Sequence, residues 1–348
     1  MRNVLRDVDM NKKSPEDEEH LDALYKRLAL LEKKPPSEGV VQPMPNEAPK
    51  EGQSVVGKTF EEKCEETRES SLYGRLPNWR VDGLIAKSND DVRQEVFIMQ
   101  LLIFYQNAFA AAKVPVWMYT YRIIGTTKST GIIQLIPNAI SIDELKKKPE
   151  FRGSLRKQFE HQFGYVEGEP EPDAFVRVLN NFVRSMAAYS VITYLLAVKD
   201  RHNGNIMIDA NGHIIHIDFG FVFGLAPGKA FSMEKAPWKL TKEMVEVMGG
   251  RKSQYFQLYI DLCTHAFLVA RKHYNAISMM MEITSYESNY PSFQYNKEAI
   301  FDFKNRSLLD VPDDKMKAEI LRLANKSYNS LGTILYDKFQ LATNGILP

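Results

Sequence analysis

The chain has 348 residues, 44% of them hydrophobic, enough to bury a core in two domains or one two-lobed unit, and its formal charge of +1 calls for no nucleic-acid partner. Its two cysteines, Cys64 and Cys263, make no C-x-x-C pair, so neither a disulfide framework nor a zinc site is expected and the default compartment is cytoplasmic. A charged N-terminus and the lack of any run of about 18 apolar residues argue against a signal peptide and a spanning helix, leaving peripheral contact with a membrane.

Residues 1–57 read as a flexible, charged segment in which Pro35, Pro36, Pro43, Pro45 and Pro49 block regular structure. Within it Leu21, Leu24, Tyr25, Leu28 and Leu31 recur at helical spacing, which predicts a helix over 16–34. So charged a segment is expected to remain a partly solvated linker helix, with docking on the body as the alternative. From about residue 70 the texture changes. "WRVDGLIAKS" reads as a strand, "DDVRQEVFIMQLLIFYQNAFAAAK" as a long buried helix, and "VPVWMYTYRIIGTT" and "GIIQLI" as further strands. After "PNAISIDELKKK" the chain turns helical, and 175–198 sets Phe175, Leu179, Phe182, Val183, Met186 and Tyr189 near one face. Amphipathic helices are expected over 241–286 and 313–342, with a break at "SYESNYPSFQYN". The last of them carries Leu331, Leu335, Phe339 and Ala342 as a stripe, for packing against the body or for lying in a membrane interface.

"VKDRHNGNIMIDANGHIIHIDFG", residues 198–220, gathers most of the candidate chemistry. "NIMID" and "HIIHID" are β-rich runs joined by "ANG", and Asn211-Gly212 predicts a two-residue hairpin turn. Such a hairpin brings Asp200–Asn205 beside Asp218–Gly220, so Asn205 and Asp218 can converge on one hard cation, magnesium rather than zinc. Asp200 and His202 stand at the rim, where one can position a hydroxyl and the other accept its proton. Asp209, His213 and His216 are expected to be scaffold, the histidines interleaved with Ile214, Ile215 and Ile217.

"DRHNGNIM" followed by "HIDFG" resembles the catalytic and metal-binding loops of the phosphatidylinositol 3- and 4-kinase superfamily, in which D-R-H replaces the H-R-D of protein kinases. "ESSLYGRLPNWRVDGLIAKSNDDVRQE", "VPVW", "NFVRSMAAYS", "KLTKEMVEVMGG", "ARKHYNAI" and "LYDKFQLATNGI" resemble the type III phosphatidylinositol 4-kinases over about residues 58–347, the two ends being most similar to the beta form. The resemblance implies an α+β, two-lobed protein-kinase-like fold. Its N-lobe, hinge included, would cover 58–137 and its mainly helical C-lobe 138–348. It also implies ATP and Mg2+, with Mn2+ able to substitute.

By that resemblance Lys87 contacts the ATP phosphates with Glu95 as its partner, and Ser70 and Ser71 lie in the phosphate-covering loop, although no G-x-G-x-x-G is present. Tyr121 marks the inner end of the nucleotide pocket. Ile133, Gln134, Leu135 and Ile136 form the hinge, with Gln134 and Ile136 offering main-chain hydrogen bonds to adenine. Gln134 replaces the family's common glutamate, and because a backbone contact does not depend on the side chain, ATP binding is expected to survive the change. Asp200 orients the attacking hydroxyl, His202 is its base or a transition-state stabiliser, and Asn205 and Asp218 hold the metal. Lys229, Lys235 and Lys239 are the scattered cations of the substrate segment, a sparse set that suits phosphatidylinositol without extra phosphates. The implied reaction phosphorylates the 4-hydroxyl of phosphatidylinositol. A phosphatidylinositol 3-kinase and a related protein serine/threonine kinase are the alternatives. Small GTPases or adaptor proteins as partners, and the cytosolic face of the Golgi as location, come from the family alone.

Overall fold

The computed structural model describes residues 15–32, 58–228 and 234–348. The proline-rich stretch and Lys229 lie outside the described residues. The first helix, α1, covers Pro15–Glu32. A second helix, α2 (Phe60–Ser70), was not expected, although its start is written in the sequence: Thr59 accepts the Glu62 N–H at 3.1 Å and Glu62 accepts the Thr59 N–H at 2.6 Å, a reciprocal capping box.

Three short strands follow, β1 (Leu84–Ser88), β2 (Ile123–Gly125) and β3 (Thr130–Gln134), forming an antiparallel sheet in the order β1-β3-β2. Between β1 and β2 runs α3 (Arg93–Ala111), whose Phe97, Ile98, Leu101, Leu102 and Tyr105 are buried. The N-terminus of α3 presses on β3: a Cβ at Gly131 would meet Val92 Cγ2 at 2.3 Å. Only the last part of "VPVWMYTYRIIGTT" is a strand. Before it, Trp117 gives its N–H to Arg184 and Tyr119 gives its N–H to the Tyr189 hydroxyl, so a helix takes the backbone bonds a ladder would have used.

A second antiparallel sheet, β4-β5-β6, is built from β4 (Ala139–Ser141), β5 (Ile206–Asp209) and β6 (Ile214–His216). The helices α4 (Ile142–Lys147), α5 (Leu155–Gln162) and α6 (Asp173–Leu195) separate β4 from β5. Phe175, Leu179, Phe182, Val183, Met186 and Tyr189 of α6 are all buried, as are Val191, Ile192 and Leu195 in its last turns. After β6 come α7 (Lys242–Val247), α8 (Gln254–Lys272), α9 (Tyr274–Ser285), α10 (Pro291–Tyr295), α11 (Ala299–Arg306), α12 (Met316–Ser327) and α13 (Leu331–Asn344). The two long helices expected here are interrupted, at the left-handed pair Gly249-Gly250, at His273, and at Tyr328–Ser330, where Ser330 caps α13.

α6 and α8 pack on each other through the centre of the core, and α1 lies across both. Leu21, Leu24 and Leu28 are buried there, Tyr25 donates to the Lys113 carbonyl at 2.7 Å, and Arg27 pairs with Asp261 at 2.7 Å. This corrects the expectation of a solvated linker helix. Three leucines, each contributing about 1.5–3 kcal/mol when fully buried, offset the cost of ordering a charged segment. The fold is mixed helix and sheet, with the sheets small and the helices dominant.

Candidate active site

The hairpin β5–β6 sets the geometry. Its loop has three residues, Ala210-Asn211-Gly212, rather than the two expected: Asp209 pairs with His213, and only Gly212 (φ 83°) is left-handed. A Cβ at Gly212 would lie 2.1 Å from Val178 Cγ2, so glycine is required for packing on α6 as well as for the turn. Asp209 accepts the N–H groups of Asn211 and His213 and meets His213 Nδ1 at 2.9 Å. Trp117 stacks on His213 with centroids 3.9 Å apart, and His216 stacks on Tyr189 at 4.7 Å. Burial holds His216 well below the ordinary histidine range. These three side chains support the hairpin and do not face the cleft chemistry.

At the open end of the hairpin Ile217 gives its N–H to the Asn205 carbonyl at 3.1 Å, which brings Asn205 and Asp218 together. Arg201 bolts the two loops to each other. It is buried, donates through Nε to Lys199 O at 2.8 Å and through Nη1 to Ile217 O at 2.6 Å, and its Nη2 reaches the Asp218 carbonyl. Asp200 and Asp218 both sit at positive φ, 62° and 58°, a backbone state that non-glycine residues rarely adopt.

Asp200 is held by hydrogen bonds at its carboxylate, its carbonyl and its N–H. Asn205 Nδ2 lies 2.9 Å from its carbonyl and 3.3 Å from Oδ2, the Tyr336 hydroxyl on α13 donates to Oδ1, and Glu234 accepts its N–H at 2.5 Å. Burial raises the Asp200 carboxyl above its ordinary range, opposed by the Tyr336 bond and Arg201. His202 Nε2 stands 3.7 Å from Asp200 Oδ1, and its Nδ1 accepts the Gly204 N–H at 3.1 Å. Burial and the Arg201 charge lower the imidazole's pKa. Because Nδ1 is an acceptor, the neutral ring carries its proton on Nε2, facing Asp200.

Glu95, on α3, is buried and its carboxyl is pushed up to about 7 by desolvation, then by Asp218 and Asp90; Lys87 and Arg201 oppose this. The expected Lys87–Glu95 pair is not formed. Lys87 is half-exposed and meets Asp90 at 3.7 Å, because β1 is an edge strand whose lysine turns to solvent. Acidic groups therefore crowd around Asp218, with Arg201 the buried cation among them and its guanidinium taken up by the loop carbonyls, and the carboxylate oxygens suit a divalent ion. Asn205 gives its Nδ2 to Asp200, leaving Oδ1 free for such an ion. Asn205 and Asp218 would supply two oxygens to such an ion; among the described residues no group of three or more His, Cys, Asp or Glu is placed to hold a metal.

Other expected residues lie further out. Tyr121 and Ile136 are buried, Ile133 is half-buried and Leu135 is partly exposed, where the chain leaves β3. Ser70 donates to Thr67 O and Ser71 accepts the Tyr73 N–H, so both make local bonds at the end of α2. Lys235 is exposed. Lys239 is not available to a substrate: it is buried and bonded to both carboxylate oxygens of Asp337, at 2.7 and 3.0 Å. Its neighbour Trp238 enters the core and carries it inward.

Three supporting residues escaped the sequence reading. Gln94 of α3 donates to Gly220 O at 2.8 Å and accepts the Ser292 N–H at 3.0 Å, fixing the chain where it leaves Asp218. Glu234 and Tyr336 hold Asp200 from segments 34 and 136 residues away. No local pattern marks contacts of that sequence separation.

With this geometry in place, the sequence matches the phosphatidylinositol 3- and 4-kinase family over residues 83–294. The chain belongs to that family. The matched stretch of this phosphatidylinositol 3- and 4-kinase family member contains Lys87, Glu95, the hinge candidates and the whole hairpin, while α2 and α13 lie outside it. It is 38% identical over 297 residues to a phosphatidylinositol 4-kinase of Dictyostelium discoideum, covering 85% of this chain and 25% of that protein. It is also 38% identical over 302 residues to phosphatidylinositol 4-kinase beta 1 of Arabidopsis thaliana, 86% of this chain and 26% of the relative. Against phosphatidylinositol 4-kinase beta of Xenopus laevis the identity is 38% over 288 residues, 83% and 35% of the two chains. The chain thus spans about a quarter to a third of the length of these relatives.

Proposed function

We propose that the chain is the catalytic unit of a lipid kinase that transfers the γ-phosphate of ATP to the 4-hydroxyl of phosphatidylinositol. The observation that carries this is the convergence of Asp200, Asn205 and Asp218 at the mouth of one hairpin, beside the buried Glu95 carboxyl that the Asp218 charge helps to raise. On this reading the sheet β1-β3-β2 with α3 belongs to an N-lobe over 58–137, and the rest to a C-lobe over 138–348, with the nucleotide between them against Ile133–Ile136.

The attacking hydroxyl oxygen forms a bond to the γ-phosphorus as the bond to the β-phosphate oxygen breaks, releasing ADP. Asp200 orients that hydroxyl and receives its proton, since its carboxylate is an acceptor while His202 presents an N–H. His202 then stabilises charge on the transferring group. Magnesium, when bound by Asn205 and Asp218, neutralises charge on the phosphates. Lys87 and the loop of Ser70 and Ser71 face the nucleotide from the other side, Lys87 turning from Asp90 toward phosphate. Lys235 and Lys229 give the substrate segment few cations, in keeping with an inositol lipid that bears no extra phosphates.

Transfer to the 4-position rather than the 3-position is supported by the names of the relatives, all 4-kinases. No helix of the described residues is long and apolar enough to cross a membrane. Contact with lipid would be peripheral, and the exposed Leu331, Leu335, Phe339 and Leu341 of α13 are the surface suited to it. A Golgi location and control by small GTPases or adaptors follow from the resemblance alone.

Labelled ATP, magnesium and phosphatidylinositol vesicles should give phosphatidylinositol 4-phosphate with the wild-type chain and none with Asp218→Ala. Label on the 3-position, or on protein but never on lipid, would overturn the assignment.

A further inference from the structure

The register of β2 on β3 pairs Ile123 with Ile133 and Gly125 with Gly131. One step further along it, Arg122 comes opposite Gln134. Gln134 gives its N–H to the Arg122 carbonyl at 2.9 Å, so this is a hydrogen-bonded rung, in which each residue normally gives an N–H and takes one. The return bond departs from that rule: the Arg122 N–H goes to the side-chain Oε1 of Gln134, at 3.0 Å, in place of the main-chain oxygen. On the opposite edge Leu135 gives its N–H to Gly83 O at 3.0 Å, and the alternation of the ladder then turns Gln134 away from β1. The Gln134 carbonyl is therefore left without a main-chain partner among the described residues. So is the Ile136 N–H, two residues on. Pro137 biases Ile136 toward extended backbone, which points that N–H to the same edge as the Gln134 carbonyl.

An outward acceptor followed two residues later by an outward donor is complementary to the amino group and adjacent ring nitrogen of adenine. Guanine carries a carbonyl and an N–H in those places and would set oxygen against oxygen. We propose that Gln134 is a positioning residue for the nucleotide: its side chain takes the Arg122 N–H and so keeps the Gln134 carbonyl free to select adenine over guanine. This rests on the placement of the nucleotide against Ile133–Ile136, and it reverses the expectation that the side chain at 134 is neutral for ATP. Without that side-chain oxygen the main-chain acceptor of the Arg122 N–H is the carbonyl across its own rung, that of Gln134, and the rung closes in the ordinary way.

The test is a titration of the wild-type chain, Gln134→Ala and Gln134→Glu with ATP and with GTP in magnesium, beside steady-state kinetics. In Gln134→Ala the ATP affinity should fall about tenfold, the worth of one hydrogen bond, with GTP affinity unchanged and the loss appearing in KM rather than kcat. Gln134→Glu keeps an acceptor oxygen and should keep the wild-type preference. Exchange of the Arg122 amide should stay slow in Gln134→Ala, because it has moved to the carbonyl, which separates the effect from local unfolding. An ATP-to-GTP ratio in Gln134→Ala equal to wild type, or an equal loss in both variants, overturns the inference and leaves the nucleotide site standing. A wild-type chain that binds neither nucleotide overturns both.

Discussion

On the hairpin side of the candidate site, Arg201 is buried and tied to the carbonyls of Lys199, Ile217 and Asp218, Asp200 is held from α13 and by Glu234, and Gln94 secures Gly220. On the β1 side, Lys87 is half-exposed with Asp90 for a partner, and Ser70 and Ser71 bond to their own neighbours in sequence. The same proposed ligand is met by one wall that is set before it arrives and another that has to reorganise around it. Preorganisation belongs where charge is moved, because donors already in place stabilise the transition state without reorganising during the reaction. On the proposed function the β1 side would admit and release nucleotide, and a wall held by local bonds suits that.

That contrast can be broken from either side. The largest effect is expected from Asp337→Ala, which strands the buried Lys239 ammonium and detaches α13 from the body. Unfolding in denaturant should show a loss of about 3–5 kcal/mol, largely recovered when Lys239→Met is added. Next, Asp218→Asn keeps the shape and the tolerance for left-handed backbone but removes the charge. Phosphoryl transfer should fall by about 10²–10³-fold, with the thermal midpoint little changed. Arg201→Met should cost about 2 kcal/mol by leaving buried carbonyls without a donor, and activity should drop with it, since the two loops it joins come apart.

A smaller effect concerns acid. His216 is held neutral, so as the pH falls below about 6.5 the unfolded chain takes up a proton there that the folded chain refuses. The stability present above that pH is therefore lost on acidification, by up to about 1.4 kcal/mol per pH unit, and His216→Phe should flatten that limb of a stability-against-pH curve. The smallest is Ser71→Ala, within about 0.5 kcal/mol in stability. A tenfold loss of ATP affinity in that variant would sharpen the contrast, because it would mean the loop makes its contacts only around nucleotide.

The legible parts of the site were those whose contacts are short in sequence. Asp200, Asn205 and Asp218 were brought together by a hairpin that the "ANG" turn announces, and the scaffold histidines were readable from their isoleucine neighbours. The turn is one residue longer than its Asn-Gly pair implies, and Gly212 is dictated partly by Val178 of α6, which no hairpin rule contains. α2 is legible in Thr59 and Glu62, but the polar composition around them hides it. α1 was placed almost to the residue, but its docking was not, because a stripe of three leucines does not say whether a partner surface exists.

Charge was the least legible property. Lys87 and Lys239 look alike in the sequence. One turns to solvent on an edge strand, and the other is drawn inside beside Trp238 and neutralised by Asp337, 98 residues on. The sequence by itself determined the elements, the hairpin and the identity of the groups at its mouth, because these depend on periodicity and on contacts within some twenty residues. Only the tertiary structure decided which charges are paired and that Tyr336 and Glu234 hold Asp200. Each of those is settled by which distant groups burial brings together, because desolvation penalises a buried charge or polar group left without a partner.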